Sequence, residues 1–211
     1  MMNTFGLNLD SMGLHINNLQ RVGIEPVSFF LNRGECMVIT GPSGAGKSLL
    51  LRAIADLDPN QGEVSLDGVE RDSLSAPEWR RLVGYVPAEP GWWADRVGEH
   101  FADWSAASEY ARRLGLPADA DAWPMSRPST GERLRLALAR ALALRPKVLM
   151  LDEPTAALDA KAVGAVEDLI AEHLQQGLAV LWVSHDPAQA VRVAQRHLHG
   201  VHGRFAEELR A

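Results

Sequence analysis

Gly41-Pro-Ser-Gly-Ala-Gly-Lys-Ser48 stands between an apolar run, Cys36 to Thr40, and a helical pattern from Leu49 to Asp56. A strand feeding a glycine-rich turn and then a helix lets successive backbone N–H groups curl around an anion, and the helix N-terminus adds partial positive charge. Gly41, Gly44 and Gly46 carry no Cβ, so the backbone can take positive φ and approach phosphate oxygens closely. The expected nucleotide-binding residues are therefore Gly41, Pro42, Ser43, Gly44, Ala45, Gly46, Lys47, Ser48 and Leu49. Lys47 would reach the β- and γ-phosphates as a point charge, and the Ser48 hydroxyl would ligate Mg²⁺. The bare pattern arises by accident in on the order of one chain in a few hundred, before its strand and helix flanks are demanded.

Working outward, apolar alternation at Leu14 to Leu19 and at Val27, Phe29 and Leu31 predicts strands of a small sheet before the loop. Gly62 to Gly68 is another short strand, and Leu82 to Val86 a buried one stopped by Pro87. Residues 88 to 128 change character, with helical patterning from Val97 to Leu114 and turns marked by Pro90, Gly91, Pro117 and Pro124. A helix from Gly131 to Leu144, a strand from Val148 to Leu151, a helix from Ala160 to Gln176 and a strand from Leu178 to Val183 follow. Ala188 to Gln195 and Arg196 to Val201 are a helix and an edge strand. Strands alternating with helices predict an α/β fold of the phosphate-loop class. Its mostly parallel central sheet is joined by a small antiparallel β subdomain at the N-terminus and a short helical insertion over about 89–128, all one unit across residues 1–211.

Composition narrows the partners. Hydrophobic residues at 46% and charged residues at 23% are ordinary for a globular chain. The richest apolar stretch, Leu134 to Leu144, is interrupted by Arg140, so no segment is expected to cross a bilayer. Met1 to Asp10 shows no basic region leading into a long apolar segment, and a cytoplasmic location is expected. The net charge of −6, without a concentrated basic block, argues against a nucleic-acid partner. Cys36, in an apolar strand, is expected to behave as a buried small hydrophobe.

The second half of a site lies at Lys147-Val-Leu-Met-Leu-Asp-Glu-Pro154, an apolar strand ending in adjacent carboxylates. At the carboxyl end of a parallel strand such residues sit in the ligand crevice. Asp152 would hold Mg²⁺, and Glu153, one residue further, would polarise the attacking water as general base. Further along stand Ser129-Thr-Gly-Glu-Arg133, Thr155-Ala-Ala-Leu-Asp159 and Val183-Ser-His-Asp186. Ser129-x-x-Glu132 is a helix capping box.

Together these segments resemble the ATP-binding subunits of ABC transporters, of the compact stand-alone type, over nearly the whole chain. The resemblance implies an ATPase that dimerises head to tail around two ATP–Mg²⁺ and drives a separate transmembrane permease subunit. It implies that Ser129, Thr130, Gly131 and Glu132 form the signature that meets the partner's nucleotide, that Asp159 of the D-loop couples the two sites, and that His185 contacts the γ-phosphate. With Lys47 and Glu153, His185 completes the expected catalytic set. The alternatives are a soluble ABC-type ATPase acting on ribosomes or DNA, and a weakly hydrolysing nucleotide-binding regulator.

The chain departs from the family pattern at several points. Ala88 stands where a glutamine usually ligates Mg²⁺ and senses the membrane partner, so Glu89 is either its replacement as a metal ligand or a solvated loop acid. Pro128 replaces the usual leucine before the signature, and Thr130 the usual glycine. No aromatic lies between Leu14 and Ile24 to stack on adenine; Arg21 is the candidate there, through its guanidinium plane. Residues 79 to 123 hold eight of the thirteen aromatics. Tyr85, Phe101 and Trp104 are expected in the core of the insertion, while Trp92 and Trp93, adjacent in a loop, are expected to form with Glu89 the surface that meets the permease.

Overall fold

The computed structural model describes residues 12–208. Strands β1 (Gly13–Arg21) and β2 (Ile24–Asn32) form a hairpin whose two-residue turn is Val22-Gly23, with Gly23 at φ +87°. With β4 (Gln61–Leu66) and β5 (Val69–Glu70) they make an antiparallel sheet in the order β2-β1-β4-β5. The second sheet contains β3 (Cys36–Thr40), β6 (Val83–Val86), β7 (Val148–Asp152), β8 (Ala179–Val183), β9 (Arg196–Val201) and β10 (Arg204–Glu208). Its order is β10-β9-β3-β8-β7-β6, parallel except for the terminal β9–β10 hairpin. Among the described residues six α-helices accompany the strands: α1 (Lys47–Ile54), α2 (Ala76–Leu82), α3 (Trp104–Arg113), α4 (Thr130–Ala143), α5 (Ala160–Gln175) and α6 (Pro187–Val193).

The parallel strands are apolar throughout because the sheet is covered on both faces. Side chains alternate along a strand, so Met37, Ile39, Val148, Met150, Leu181 and Val183 enter one core with α1 and the antiparallel sheet. Val38, Leu149, Leu151, Val180 and Trp182 enter the other, against α4 and α5. Cys36 belongs to this second core, and burial pushes its thiol up to about 12, as expected of an inert packing residue.

Besides shifts of one or two residues at several element ends, three differences from the sequence expectation stand out. The expected helix from Val97 to Leu114 divides: Val97–His100 makes one 3₁₀ turn, Phe101 returns to extended backbone, and α3 starts anew where the Asp103 carboxylate accepts from Ser105 N at 2.8 Å. α1 begins at Lys47, inside the glycine-rich motif, rather than at Leu49. Arg196–Val201 is not the sheet edge, since β10 pairs along its outer side.

A carboxylate ties the nucleotide-side helix to the antiparallel sheet. Asp58 receives Nε and Nη2 of Arg52, at 2.6 and 2.7 Å, and Nη1 of Arg21. These donors, Arg52 foremost and then Arg21, hold the Asp58 carboxyl at about 2, below its ordinary 3.8. The lowered value means that the stabilisation is complete above pH 3.8 and is lost as pH falls through about 2. Asp58→Asn should therefore flatten the acid limb of the thermal-denaturation midpoint over that interval, as followed by circular dichroism against pH.

Candidate active site

Three loops leave the same edge of the parallel sheet, and the strand register sets their level. Ile39 pairs with Val183, and Val183 pairs with Asp152, so the carboxyl ends of β3, β8 and β7 lie side by side. The phosphate loop follows β3, the Glu153–Asp159 loop follows β7, and the Ser184–Asp186 loop follows β8. This is the crevice position for ligands of an open α/β sheet.

In the phosphate loop Gly41, Gly44 and Gly46 all take positive φ, at +133°, +77° and +98°. A Cβ on Gly41 would lie 2.1 Å from the carbonyl oxygen of Gly200, so β9 packs against the start of the loop. Gly46 is the N-cap of α1 and supplies no side-chain cap, which leaves the first N–H groups of the helix directed at the loop. Pro42, Ser43, Gly44 and Ser48 are exposed, whereas Ala45 and Lys47 are buried. Lys47 Nζ donates to the carbonyls of Gly41 and Pro42, at 2.8 and 3.0 Å. Burial pushes its pKa down, and the charges of Glu153 and Asp152 oppose that shift. The cation of the loop thus senses both carboxylates that end β7.

Those carboxylates have different surroundings. Asp152 is buried and accepts the Tyr85 hydroxyl at 3.1 Å. Burial first, and then the Asp152 charge, raise the Tyr85 phenol well above its ordinary value, so it stays a donor. Glu153 is half-buried, and its backbone sits in the left-handed region at φ +52°. A non-glycine residue there costs about 1–3 kcal/mol and persists only where its neighbours hold it. Here Glu153 N donates to Val183 O at 3.1 Å, and His185 Nε2 lies 2.7 Å from Glu153 Oε1. His185 and Glu153 therefore meet across the ends of β8 and β7.

The Ser129 box forms as its spacing predicts: Ser129 N donates to Glu132 Oε2 at 2.8 Å, and Ser129 Oγ accepts from Glu132 N at 3.3 Å. Ser129 and Thr130 are exposed at the start of α4. A Cβ on Gly131 would lie 2.8 Å from Ala157 O, so the signature packs on the 155–159 loop of its own chain. Asp159 is exposed and caps α5, accepting from Ala162 N at 2.8 Å. Among the described residues, no hydrogen bond or ion pair joins Ser129–Glu132 to the phosphate loop.

Arg21 does not offer a free guanidinium face. It is engaged by Asp58 and mostly buried, and the open side chain at the β1–β2 turn is Val22, 92% exposed. That turn adjoins the phosphate loop, for a Cβ on Gly46 would lie 2.6 Å from Ile24 Cδ1 and 3.4 Å from Gly23 O. Glu89 is exposed on the loop after β6. On the same loop Trp93 is 72% exposed, while Trp92 is half-buried against the second core. Arg140 of α4 lies over both rings, 4.5 and 5.1 Å from their centroids, and both rings meet the edge of buried His100. Phe101 and Trp104 pack half-buried against the second core as expected, whereas Tyr85, on β6, packs against the first core rather than in the insertion. Beside this cluster an apolar groove of about 430 Å³ runs between β6, the 100–106 segment and α4, with Leu57, Trp93 and Leu144 exposed around it.

Sequence reasoning did not find Tyr85 as the partner of Asp152, nor Gln189, which is buried behind His185. The only signal for Tyr85 was its place in an apolar strand; Gln189 carried none beyond standing four residues after the histidine.

The family profile described as "ABC transporter" matches residues 24–156. A glutamine transport ATP-binding protein of Geobacillus stearothermophilus is 32% identical over 203 residues, covering 88% of this chain and 83% of that protein. A phosphonates import ATP-binding protein of Trichormus variabilis is 35% identical over 204 residues, covering 86% and 83%. A probable iron export ATP-binding protein of Escherichia coli is 34% identical over 175 residues, covering 77% and 78%. The solved structure of a dimeric ATP-binding cassette, in a post-hydrolysis state bound to ADP and Pi, superposes with a TM-score of 0.80 at 25% identity. It covers 94% of this chain and 99% of that one.

The fit of β9 against the loop is directly testable. Gly41→Ala should lower the unfolding free energy by at least about 2 kcal/mol, through positive-φ strain and the collision with Gly200 O, measured by urea denaturation.

Proposed function

The chain belongs to the ABC transporter family, as one of its ATP-binding ATPase subunits, and we propose that it is the motor of a transporter whose membrane channel is a separate polypeptide. One observation carries the proposal: the chain presents two half-sites that, among the described residues, no hydrogen bond or ion pair joins. The phosphate loop with Asp152, Glu153 and His185 is one; the capped start of α4, with Ser129 and Thr130 exposed and its N–H groups outward, is the other. A second copy turned head to tail would place each α4 N-terminus over the other copy's γ-phosphate and enclose two ATP molecules.

In this reading Lys47 and the loop N–H groups bind the phosphates. The donors available at the loop and at the end of β7, the Ser48 hydroxyl and the Asp152 carboxylate, are oxygens of the kind Mg²⁺ takes, and the ion would neutralise charge on the β- and γ-phosphates. Tyr85 keeps the Asp152 carboxylate oriented. Glu153 accepts the proton of the attacking water, and His185, 2.7 Å away, orients that carboxylate and contacts the γ-phosphate. Asp159, at the exposed start of α5, faces the second copy and couples the two sites. Adenine would rest by Val22 rather than Arg21, with less stacking than an aromatic provides. Glu153→Gln keeps the shape and removes the proton acceptor, so phosphate release should fall roughly 10²–10⁴-fold while equilibrium ATP binding persists.

The groove beside Trp93 is the surface proposed for a cytoplasmic helix of the permease, with Glu89 on the adjoining loop and Arg80, Arg81 and Arg140 among its lining. Among the described residues no helix is long and apolar enough to cross a membrane. Attachment to the cytoplasmic face of the membrane would come through that permease. Replacing both Trp93 and Leu144 by Asp should abolish co-purification with the permease, while ATP hydrolysis by the isolated chain stays within about twofold of wild type.

A further inference from the structure

Gln189, the third residue of α6, is 2% exposed and lies behind the two loops that carry Glu153 and His185. Its Nε2 donates to Thr155 Oγ1 at 3.0 Å and to Glu167 Oε1 at 2.9 Å, and its Oε1 accepts from Ser184 Oγ at 2.8 Å. Thr155 stands two residues after Glu153, and Ser184 immediately precedes His185. Ser184 Oγ also accepts from Asp186 N at 3.1 Å, which closes the histidine loop. Glu167 of α5 fixes the direction of the amide. It is held by Nε and Nη2 of Arg192, at 3.1 and 2.8 Å, and Arg192 keeps its carboxyl below the ordinary range. A carboxylate only accepts, so the Gln189 NH₂ must face Glu167 and its carbonyl then faces Ser184, while the Thr155 hydroxyl lies within reach of both, 3.0 Å from Nε2 and 3.2 Å from Oε1.

From this network we infer that Gln189 is a positioning residue for hydrolysis. It is the clamp between the Glu153 loop and the His185 loop and sets the separation at which the two side chains meet. The left-handed backbone of Glu153 needs such a restraint. Val183 O holds the residue from the β8 side, and the Gln189 bond to Thr155 holds the outgoing chain. A buried amide with its donors and acceptor engaged has one low-energy arrangement, so its influence is on geometry rather than on charge.

The inference rests on Glu153 and His185 acting together, and the experiment separates the two levels. Steady-state ATP hydrolysis and nucleotide binding are measured for the full chain and for Glu153→Gln, His185→Ala, Gln189→Leu, Gln189→Glu and Thr155→Val. Thermal midpoints are recorded in parallel. Gln189→Leu should lower kcat roughly 10- to 100-fold, with KM for ATP unchanged within about twofold, as expected of a misplaced catalytic group. Gln189→Glu should also lose activity, because two carboxylates then face each other at Glu167. Thr155→Val keeps the shape and removes the bond that joins Gln189 to the Glu153 loop, so it should lower kcat with KM held, and it reads the clamp even if the Gln189 variants fail to fold. Wild-type kcat in folded Gln189→Leu, in Gln189→Glu or in Thr155→Val overturns the clamp. Unchanged kcat in Glu153→Gln and His185→Ala would instead overturn the site reading beneath it.

Discussion

The register of the parallel sheet is the constraint on which the site depends. Val183 pairs with Ile39 on one side and Asp152 on the other, and this places three loops, from widely separated parts of the chain, on one edge at one height. A slip of one residue would send every side chain of the shifted strand into the opposite core. The two cores forbid that, because alternate residues of β3, β7 and β8 fill different clusters. Packing far from the nucleotide therefore fixes the distance between the phosphate loop and its carboxylates.

That rigidity is accompanied by local strain at the chemistry. Glu153 departs from favoured backbone at the end of β7, whereas the positive φ of the phosphate-loop glycines at the end of β3 carries no such strain, because they lack a Cβ. Strained turns at the ends of well-packed strands are affordable where the surrounding hydrogen bonds determine the conformation. Val183 O, Thr155, Ser184 and Gln189 supply those bonds around Glu153 and His185.

A second line of contact runs from the loop after β6 to the start of α4. Arg140 lies over Trp92 and Trp93 and belongs to α4, whose first turn carries the Ser129 cap. The aromatic and guanidinium cluster thus joins the loop that carries Ala88 and Glu89 to α4. An arginine over two indoles adds cation–π attraction between the loop and the helix.

Residues 41–48 alone determined phosphate binding, because glycine placement and a lysine are local requirements of backbone geometry and charge. The unbroken apolar runs at 36–40 and 148–151 determined a sheet covered on both faces, and the spacing of Ser129 and Glu132 determined a cap that forms as written. The break between Val97–His100 and α3 was not legible, since an Asp cap competes locally with helical periodicity. Arg21 could be placed near the nucleotide but not aimed, because its partner Asp58 lies 37 residues away. Tyr85 on Asp152 and Gln189 between Thr155 and Ser184 join residues 67, 34 and 5 positions apart, as does His185 against Glu153 across the strand ends. Such contacts follow from strand register and from which side of the sheet each helix covers, and only the tertiary structure decides those.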